Sequence, residues 1–181
     1  LNGSKTAVLN GSNAEILLVA AREPGAATDS EGISVFMVDA SSAGVSIQSF
    51  ANVDGKKSAE ISLKDVSVPV AQRLGAPGSA LQALQDGVDR ATLAVSAEAV
   101  GAMESLLHKT VEYSKTRKQF GTAIGTFQAL QHRMADMFIE CQLARSIVIM
   151  AAMKLDGGES ALEKTKSVSA AKSRIGRAIQ K

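Results

Sequence analysis

The stretch that decides the fold is KTRKQFGTAIGTFQ, residues 115–128, because it separates two long segments whose residue pattern differs from its own. It is basic, and it carries two glycines and two phenylalanines within a short span. On both sides of it, apolar residues recur at spacings of three and four, which is the period of one helical face. The sequence therefore predicts two long helices joined by a loop with an unusual composition.

Three helices are predicted after APGS, residues 76–79. The first runs nearly to Lys115, the second begins near Thr126 as its N-cap, and the third begins at about Glu159 after Gly157-Gly158. The apolar face of the first helix is expected to consist of Leu81, Leu84, Val88, Val95, Met103, Leu106 and Leu107. We expect the three helices to pack antiparallel to their neighbours.

The chain before these helices has short runs rich in valine and isoleucine, separated by turn residues. Predicted strands are residues 5–9, 15–21, 33–39, 45–50 and 58–63, followed by a short VSVPV segment at 66–70. Asn10-Gly11 stands between two of these runs and predicts a β-hairpin. The predicted fold class is therefore α+β, with an antiparallel β-barrel or sandwich-like domain over residues 1–75 and an up-down helical bundle over residues 76–181.

Composition excludes several classes of function. The chain has 181 residues, 20 basic and 18 acidic side chains and 3% aromatic residues, so neither nucleic acid nor a membrane is expected as a partner. No cysteine or histidine pair has the spacing of metal ligands, and neither a phosphate-binding glycine motif nor Gly-x-Ser-x-Gly is present. Cys141, the one cysteine, lies on an apolar helical face and is expected in the core.

Two interpretations of the opening stretch follow from its residues. The cations at 115–118 could simply close a helix, because positive charge favours the negative end of the helix dipole. Alternatively, Arg117 presents a planar fork to a phosphate while Phe120 and Phe127 flank a flat or apolar ligand. The two glycines would then let the backbone approach that ligand.

The run EYSKTRKQFGTAIGTFQALQHRMADM, residues 112–137, resembles the acyl-CoA dehydrogenase family, in which Arg-Lys-x-Phe-Gly, a short loop and Phe-Gln open a helix of the C-terminal bundle. LNGSKTAVLNGSNAEILLVAAR, residues 1–22, resembles the first hairpin of the family's middle β-domain. GISVFMVDASSAGVS (32–46) and DGKKSAEISLKDVSVP (54–69) resemble later strands of that domain. Within the family, the likeness is nearest to small subunits of bacterial dicarboxylate-type (pimeloyl) acyl-CoA dehydrogenases.

The resemblance implies FAD-dependent α,β-dehydrogenation of an acyl-CoA thioester, with electrons passed to an electron-transferring flavoprotein. It implies that Arg117 and Gln119 bind the FAD pyrophosphate region of a neighbouring subunit, with Phe120 against the cofactor and Phe127 and Gln128 near its adenine side. Such a site implies a dimer or a dimer of dimers, formed from identical or different subunits. A flavin oxidase or monooxygenase on the same scaffold is a variant of this hypothesis.

The chain departs from the family pattern at its first predicted strand. Many members carry Trp-Ile-Thr where this chain has Ala7, Val8 and Leu9. The resemblance implies that the backbone of Val8 and Leu9 keeps its cofactor contacts, while the aromatic wall and the threonine hydroxyl are lost.

A second set of departures lies on the first long helix. The arginine usual near the acyl-CoA site falls on Thr92, with Arg90 two residues earlier, and an alternative catalytic glutamate of some members falls on Ala91. Glu98 lies seven residues after Ala91, about two turns along the same face, so Arg90 and Glu98 are the candidate substrate residues. A solvent-exposed carboxylate at the edge of the helix is the alternative interpretation of Glu98.

No catalytic base is assigned within this chain. The resemblance places an N-terminal helical domain before residue 1 and the usual glutamate after RIGRAIQK, so we expect these residues to be about half of a functional protein. A catalytically reduced subunit of a heteromeric dehydrogenase and a flavin-free interaction module on the same fold remain alternatives. The expected location is the bacterial cytoplasm, with the mitochondrial matrix as an alternative.

Overall fold

The computed structural model describes residues 1–23, 25–26 and 28–180, and it divides into two compact units within the α+β fold class predicted above. Leu1–Leu84 forms the first unit, and the remaining described chain forms the second. The strands of the first unit are β1 Gly3–Leu9, β2 Ile16–Arg22, β3 Ile33–Asp39, β4 Val45–Ala51, β5 Lys57–Leu63 and β6 Arg73–Leu74. The later elements are α1 Leu81–Thr116, β7 Lys118–Gln119, β8 Thr122–Ala123, α2 Gln128–Asp156 and α3 Ala161–Ala178.

The β unit contains two three-stranded antiparallel sheets. One has the order β1-β5-β4 and the other the order β2-β3-β6. Alternation along β2 buries Leu17 and Val19 while Ile16 and Leu18 face outward, as a period of two requires. The buried cluster of the unit comprises Leu17, Val19, Val38, Ala59, Ile61, Leu63 and Val66.

The predicted hairpin at Asn10-Gly11 is wrong. Strand β1 pairs with β5, and β2 pairs with β3, so the two strands flanking this dipeptide belong to different sheets. Asn10 does adopt the left-handed conformation, with φ of 57°, but the chain then enters a short 3₁₀ helix, Gly11–Asn13. Gly11 is buried, and an added Cβ there would lie 3.0 Å from the Val8 side chain, so packing directs the chain from one sheet to the other.

Short elements and one helix boundary also differ from expectation. Strands β6, β7 and β8 each have two residues, too few for an alternating pattern to register. The predicted N-cap of the second helix, Thr126, is wrong: Thr126 ends a 3₁₀ helix and its hydroxyl donates to the Ala123 carbonyl at 2.7 Å. Phe127 occupies the N-cap position of α2 instead.

The helical unit is the predicted antiparallel arrangement of three helices. Arg145 of α2 pairs with Glu104 of α1 at 3.3 Å, and Arg174 of α3 pairs with Glu140 of α2. Two buried clusters hold the helices together: Val100, Met103, Cys141, Ala144, Ile175 and Ala178, and Ala151, Leu155, Val168 and Ala171. Among the described residues, none of the helices has the length and apolar character needed to cross a bilayer.

A buried polar contact joins α1 to α3. Asp89 is 5% exposed, and its two carboxylate oxygens accept hydrogen bonds from Thr165 at 2.6 Å and from Gln85 at 3.0 Å. Hydrogen bonds of this kind offset the cost of burying a charged group. They also fix how the first turns of α3 meet α1.

The face of α1 that is buried differs from the predicted one. Val88, Val95 and Leu106 are at least half exposed, whereas Met103 of the predicted face is buried, as predicted. The other buried residues of the helix are Asp89, Ser96, Val100 and Ser114. At about 100° per residue, the buried stripe lies roughly a quarter turn away from the predicted stripe. The prediction followed the most apolar side chains, but the helix buries smaller and polar side chains together with Val100 and Met103.

Candidate functional site

The connection between α1 and α2, residues 117–127, forms an ordered structure that we call the clasp loop. Its short strands β7 and β8 pair through a turn at Phe120-Gly121, where φ is 54° and 83°. Positive φ at both central positions is typical of a two-residue hairpin turn. The Ile124 amide donates to the Arg117 carbonyl at 2.8 Å, and the Arg117 amide donates to Tyr113 at 2.9 Å, so the hairpin is tied to the end of α1.

The clasp loop displays two aromatic rings. Phe120 is 93% exposed although it is a large apolar side chain, and it adopts a left-handed conformation that is uncommon outside glycine. Its ring lies edge-on to Phe127, with centroids 6.2 Å apart and planes at 75°. An exposed ring held in a costly backbone conformation is typical of a contact surface for a ligand or partner.

The positive charge available at the clasp loop comes from Arg117 and Lys118. Lys115 donates to Glu112 at 2.6 Å, and this hydrogen bond, with the charge of Lys115, lowers the pKa of Glu112 below its ordinary value. Arg117 and Lys118 are exposed, and neither forms an ion pair within residues 1–23, 25–26 and 28–180. Their charges are therefore available to an anionic ligand.

Two side chains that the sequence did not single out hold the loop. Gln131 of α2 donates through Nε2 to the Gly125 carbonyl at 2.9 Å. Gly125 packs against the buried Ser114 so closely that an added Cβ would lie 3.0 Å from both the Ser114 carbonyl oxygen and its hydroxyl. The only sequence signal of this contact is a glycine six residues before a helical glutamine, which is too weak to interpret alone.

The cofactor residues predicted on the first strand lie in the β unit. Val8 is half-buried and packs against the core, while Leu9 is 72% exposed. Between Lys5 and Val8 the pairing with β5 shifts by one residue, and Ala7 has φ of 51°. This bulge on an edge strand bends β1 and leaves backbone groups without a strand partner.

The candidate substrate residues on α1 do not meet. Arg90 is exposed and pairs with Asp156 at 3.8 Å, at the C-terminal end of α2. Glu98 is exposed as well. Eight residues of helix separate the two by about 12 Å along the axis, so they could contact only different parts of one ligand.

A cavity of about 670 Å³ lies in the helical unit and contains none of the residues predicted for the site. Its lining comprises Met103, Leu106, Arg133, Asp136, Met137, Ile139, Glu140, Cys141, Ala178, Ile179 and Gln180.

Over the part of the chain that the structure describes, no group of three or more histidine, cysteine, aspartate or glutamate side chains could hold a metal ion.

Cys141 is expected to react slowly with thiol reagents. It is 2% exposed, burial raises the pKa of its thiol, and the carboxylates of Glu104 and Glu140 add to the rise. Because the thiolate is the reactive form, alkylation at neutral pH should be at least about 100-fold slower in the native protein than in denaturant. Mass spectrometry of the Cys141 peptide measures both rates, and equal rates would contradict a buried thiol.

The fold and the clasp loop together define a class of protein in which a β unit of two antiparallel sheets precedes a helical bundle with a basic, aromatic connection. Residues 1–66 match the family profile of the acyl-CoA dehydrogenase middle domain, and residues 81–181 match that of the acyl-CoA dehydrogenase C-terminal domain. The chain belongs to the acyl-CoA dehydrogenase family.

Relatives and solved structures agree with this assignment. A probable acyl-CoA dehydrogenase of Bacillus subtilis, YngJ, is 36% identical over 159 residues, which cover 86% of this chain and 42% of that protein. Butyryl-CoA dehydrogenase from Megasphaera elsdenii aligns with a TM-score of 0.81 at 30% identity, covering 99% of this chain and 49% of that one. A structure from work on the electron transferring flavoprotein of Acidaminococcus fermentans aligns with a TM-score of 0.87 at 31% identity, covering 98% of this chain and 47% of that one. The chain thus spans less than half the length of these proteins.

Proposed function

We propose that the chain is part of an FAD-dependent acyl-CoA dehydrogenase and that its clasp loop binds the cofactor. The observation that carries the proposal is the presence of the exposed Arg117 and an exposed pair of aromatic rings, Phe120 and Phe127, in one short loop whose strands pair with each other. A guanidinium matches the two oxygens of a phosphate, and phenyl rings favour contact with a flat ring system. A dinucleotide contains both groups.

The remaining residues of the site fit the same ligand. Gln119 on β7 and Gln128, the first residue of α2, are exposed, and each carboxamide offers both a donor and an acceptor to a nucleotide. Considered by itself, the β unit offers such a cofactor the backbone amide and carbonyl groups of the bulge around Val8. We therefore assign Arg117 and Gln119 to the pyrophosphate region of the cofactor and Phe120 to contact with the cofactor. Phe127 and Gln128 are assigned to its adenine side.

FAD supplies the hydride acceptor of an α,β-dehydrogenation, and the protein supplies binding, orientation and polarity. Within this division, the residues of this chain bind and orient the cofactor. Arg90 and Glu98 are the substrate candidates on α1, and no residue of the chain is proposed as the catalytic base.

The proposed substrate is an acyl-CoA thioester, and the proposed electron acceptor is an electron-transferring flavoprotein. The names of the relatives support the first, and the alignment with the Acidaminococcus fermentans structure supports the second. Exposed apolar side chains on the clasp loop and on α1 support assembly into a dimer or a dimer of dimers, from identical or different subunits. The clasp loop would then reach the cofactor of a neighbouring subunit.

A catalytically reduced subunit is the second candidate, and one observation favours it. Ala7 and Leu9 put a methyl group and an aliphatic chain on the exposed side of β1. These groups cannot stack on a flavin as an aromatic ring does, and they cannot donate a hydrogen bond as a hydroxyl does. Such a subunit would complete the cofactor site of its partner without turning over substrate itself.

The test is an absorbance spectrum of the intact gene product, alone and with its suspected partner subunit, followed by anaerobic addition of acyl-CoA. Flavin bands that bleach on addition are the expected result, and the same assay can then compare substrates with acyl groups of different length. Bound flavin that does not bleach would favour the catalytically reduced subunit. A protein without flavin bands under both conditions would contradict the cofactor assignment and leave a flavin-free interaction module.

A further inference from the structure

We propose that Gln131 is a positioning residue that sets the affinity of the clasp loop for its cofactor. Its carboxamide fixes the Gly125 carbonyl, and through Gly125 it fixes the orientation of Arg117 and Phe127. The inference rests on the proposed function for the identity of the ligand. The restraint itself is a property of the loop and can be measured without any ligand.

One side of the restraint is a hydrogen bond from the first turn of α2. Gln131 Nε2 donates to the Gly125 carbonyl oxygen at 2.9 Å, and the Gln131 amide donates to the Phe127 carbonyl at 3.2 Å. Phe127, the N-cap residue, provides no side-chain hydrogen bond to the helix start. The carboxamide of Gln131 therefore provides the side-chain link between the first turn of the helix and the loop before it.

The other side of the restraint is the end of α1. Gly125 lies against Ser114, where an added Cβ would meet backbone and hydroxyl at 3.0 Å. Ser114 is itself buried and fixed, because its hydroxyl donates to the Val111 carbonyl at 2.7 Å and contacts the Met134 sulfur at 3.5 Å. Gly125 is thus held between the last turn of α1 and the first turn of α2.

The position of Gly125 determines the residues around it. The amide of Ile124, its immediate neighbour, donates to the Arg117 carbonyl at 2.8 Å, and the Phe127 amide donates to the Ile124 carbonyl at 3.1 Å. Phe120, whose ring touches Phe127, is displayed in a left-handed conformation that needs such support. A loop already ordered in its binding geometry loses less conformational freedom when a ligand binds, and its affinity is higher.

The experiment compares Gln131→Met with Gln142→Met in the intact gene product. Methionine has nearly the length and helix propensity of glutamine but cannot donate this hydrogen bond. Gln142 is an exposed glutamine of the same helix, and its carboxamide makes no hydrogen bond in the part of the chain that the structure describes. The readouts are amide hydrogen exchange of residues 117–127 without ligand, with amides of α3 as reference, and the Kd for FAD.

Loss of a hydrogen bond of ordinary strength changes an equilibrium constant about fivefold. We expect Gln131→Met to speed exchange of clasp-loop amides about fivefold relative to α3 and to raise the Kd for FAD by about the same factor, with Gln142→Met changing neither. Unchanged loop exchange in Gln131→Met would overturn the restraint. Faster exchange with unchanged FAD affinity would overturn its role in binding. If the unsubstituted protein binds no FAD, the proposed function fails and the affinity claim fails with it, while the exchange rates still decide the restraint.

Discussion

Replacement of Arg117 by alanine is expected to weaken FAD binding by about 10- to 100-fold. Hydrogen bonds between a charged donor and a phosphate contribute about 1.5 to 3 kcal/mol, and a guanidinium can make two of them at once. Arg117 is exposed at the base of the clasp loop, and its backbone bonds to Tyr113 and Ile124 do not depend on the side chain. The loop should therefore keep its geometry in this variant.

Two further variants identify the cause of the loss. Arg117→Lys keeps the charge without the planar fork and should recover only part of the affinity. Lys118→Ala removes one charge from the adjacent exposed residue on β7 and should change the Kd less than about threefold, as is usual for an exposed charge. Isothermal titration of FAD into the apoprotein measures the Kd of all three variants. Equal losses in Arg117→Ala and Lys118→Ala would show that net charge, and not a positioned guanidinium, attracts the cofactor.

Replacement of Gly44 by alanine is expected to destabilise the protein by about 3 kcal/mol or more, through a backbone clash in the β unit. Gly44 has φ of 87°, and an added Cβ would lie 2.1 Å from the Lys64 carbonyl oxygen. The Lys64 amide also donates to the Gly44 carbonyl at 2.9 Å, so relief of the clash would disturb a hydrogen bond between the start of β4 and the end of β5. Large losses of stability follow when a substitution forces the backbone to move.

The matched control is Gly55→Ala. Gly55 has a similar φ of 79°, but no atom lies within 4 Å of an added Cβ, so only the left-handed conformation contributes and the cost should be about 1 to 2 kcal/mol. Urea unfolding followed by circular dichroism gives the free energy of unfolding of both variants. Equal losses would mean that the contact between Gly44 and Lys64 opens without cost.

Much of the fold could be predicted because local patterns are strong in this chain. The short apolar run at residues 15–21, bounded by turn residues, predicted β2 within one residue at each end. The apolar period after residue 80 predicted a helix that the structure places at Leu81–Thr116. The composition of residues 115–128 singled out the clasp loop. Each of these signals depends on residues close together along the chain, where the period of the backbone alone sets which side chains share a face.

The candidate site was predictable in part. Arg117, Phe120 and Phe127 are conspicuous in the sequence because they are basic or aromatic residues in a helix connection. Gln131 and Ser114 are ordinary helical residues, and only the folded loop shows that they hold Gly125 from two sides. The left-handed conformation of Phe120 could not be predicted either, since its residue type disfavours it.

The sequence by itself determined the order and type of the main elements, the antiparallel helices and the membership of the acyl-CoA dehydrogenase family. The tertiary structure decided that β1 pairs with β5, more than 40 residues away, and not with β2 across Asn10-Gly11. It also decided which stripe of α1 is buried. Both outcomes depend on how distant surfaces fit together, and packing between elements outweighs the local preference of a turn or an apolar stripe whenever it buries more surface.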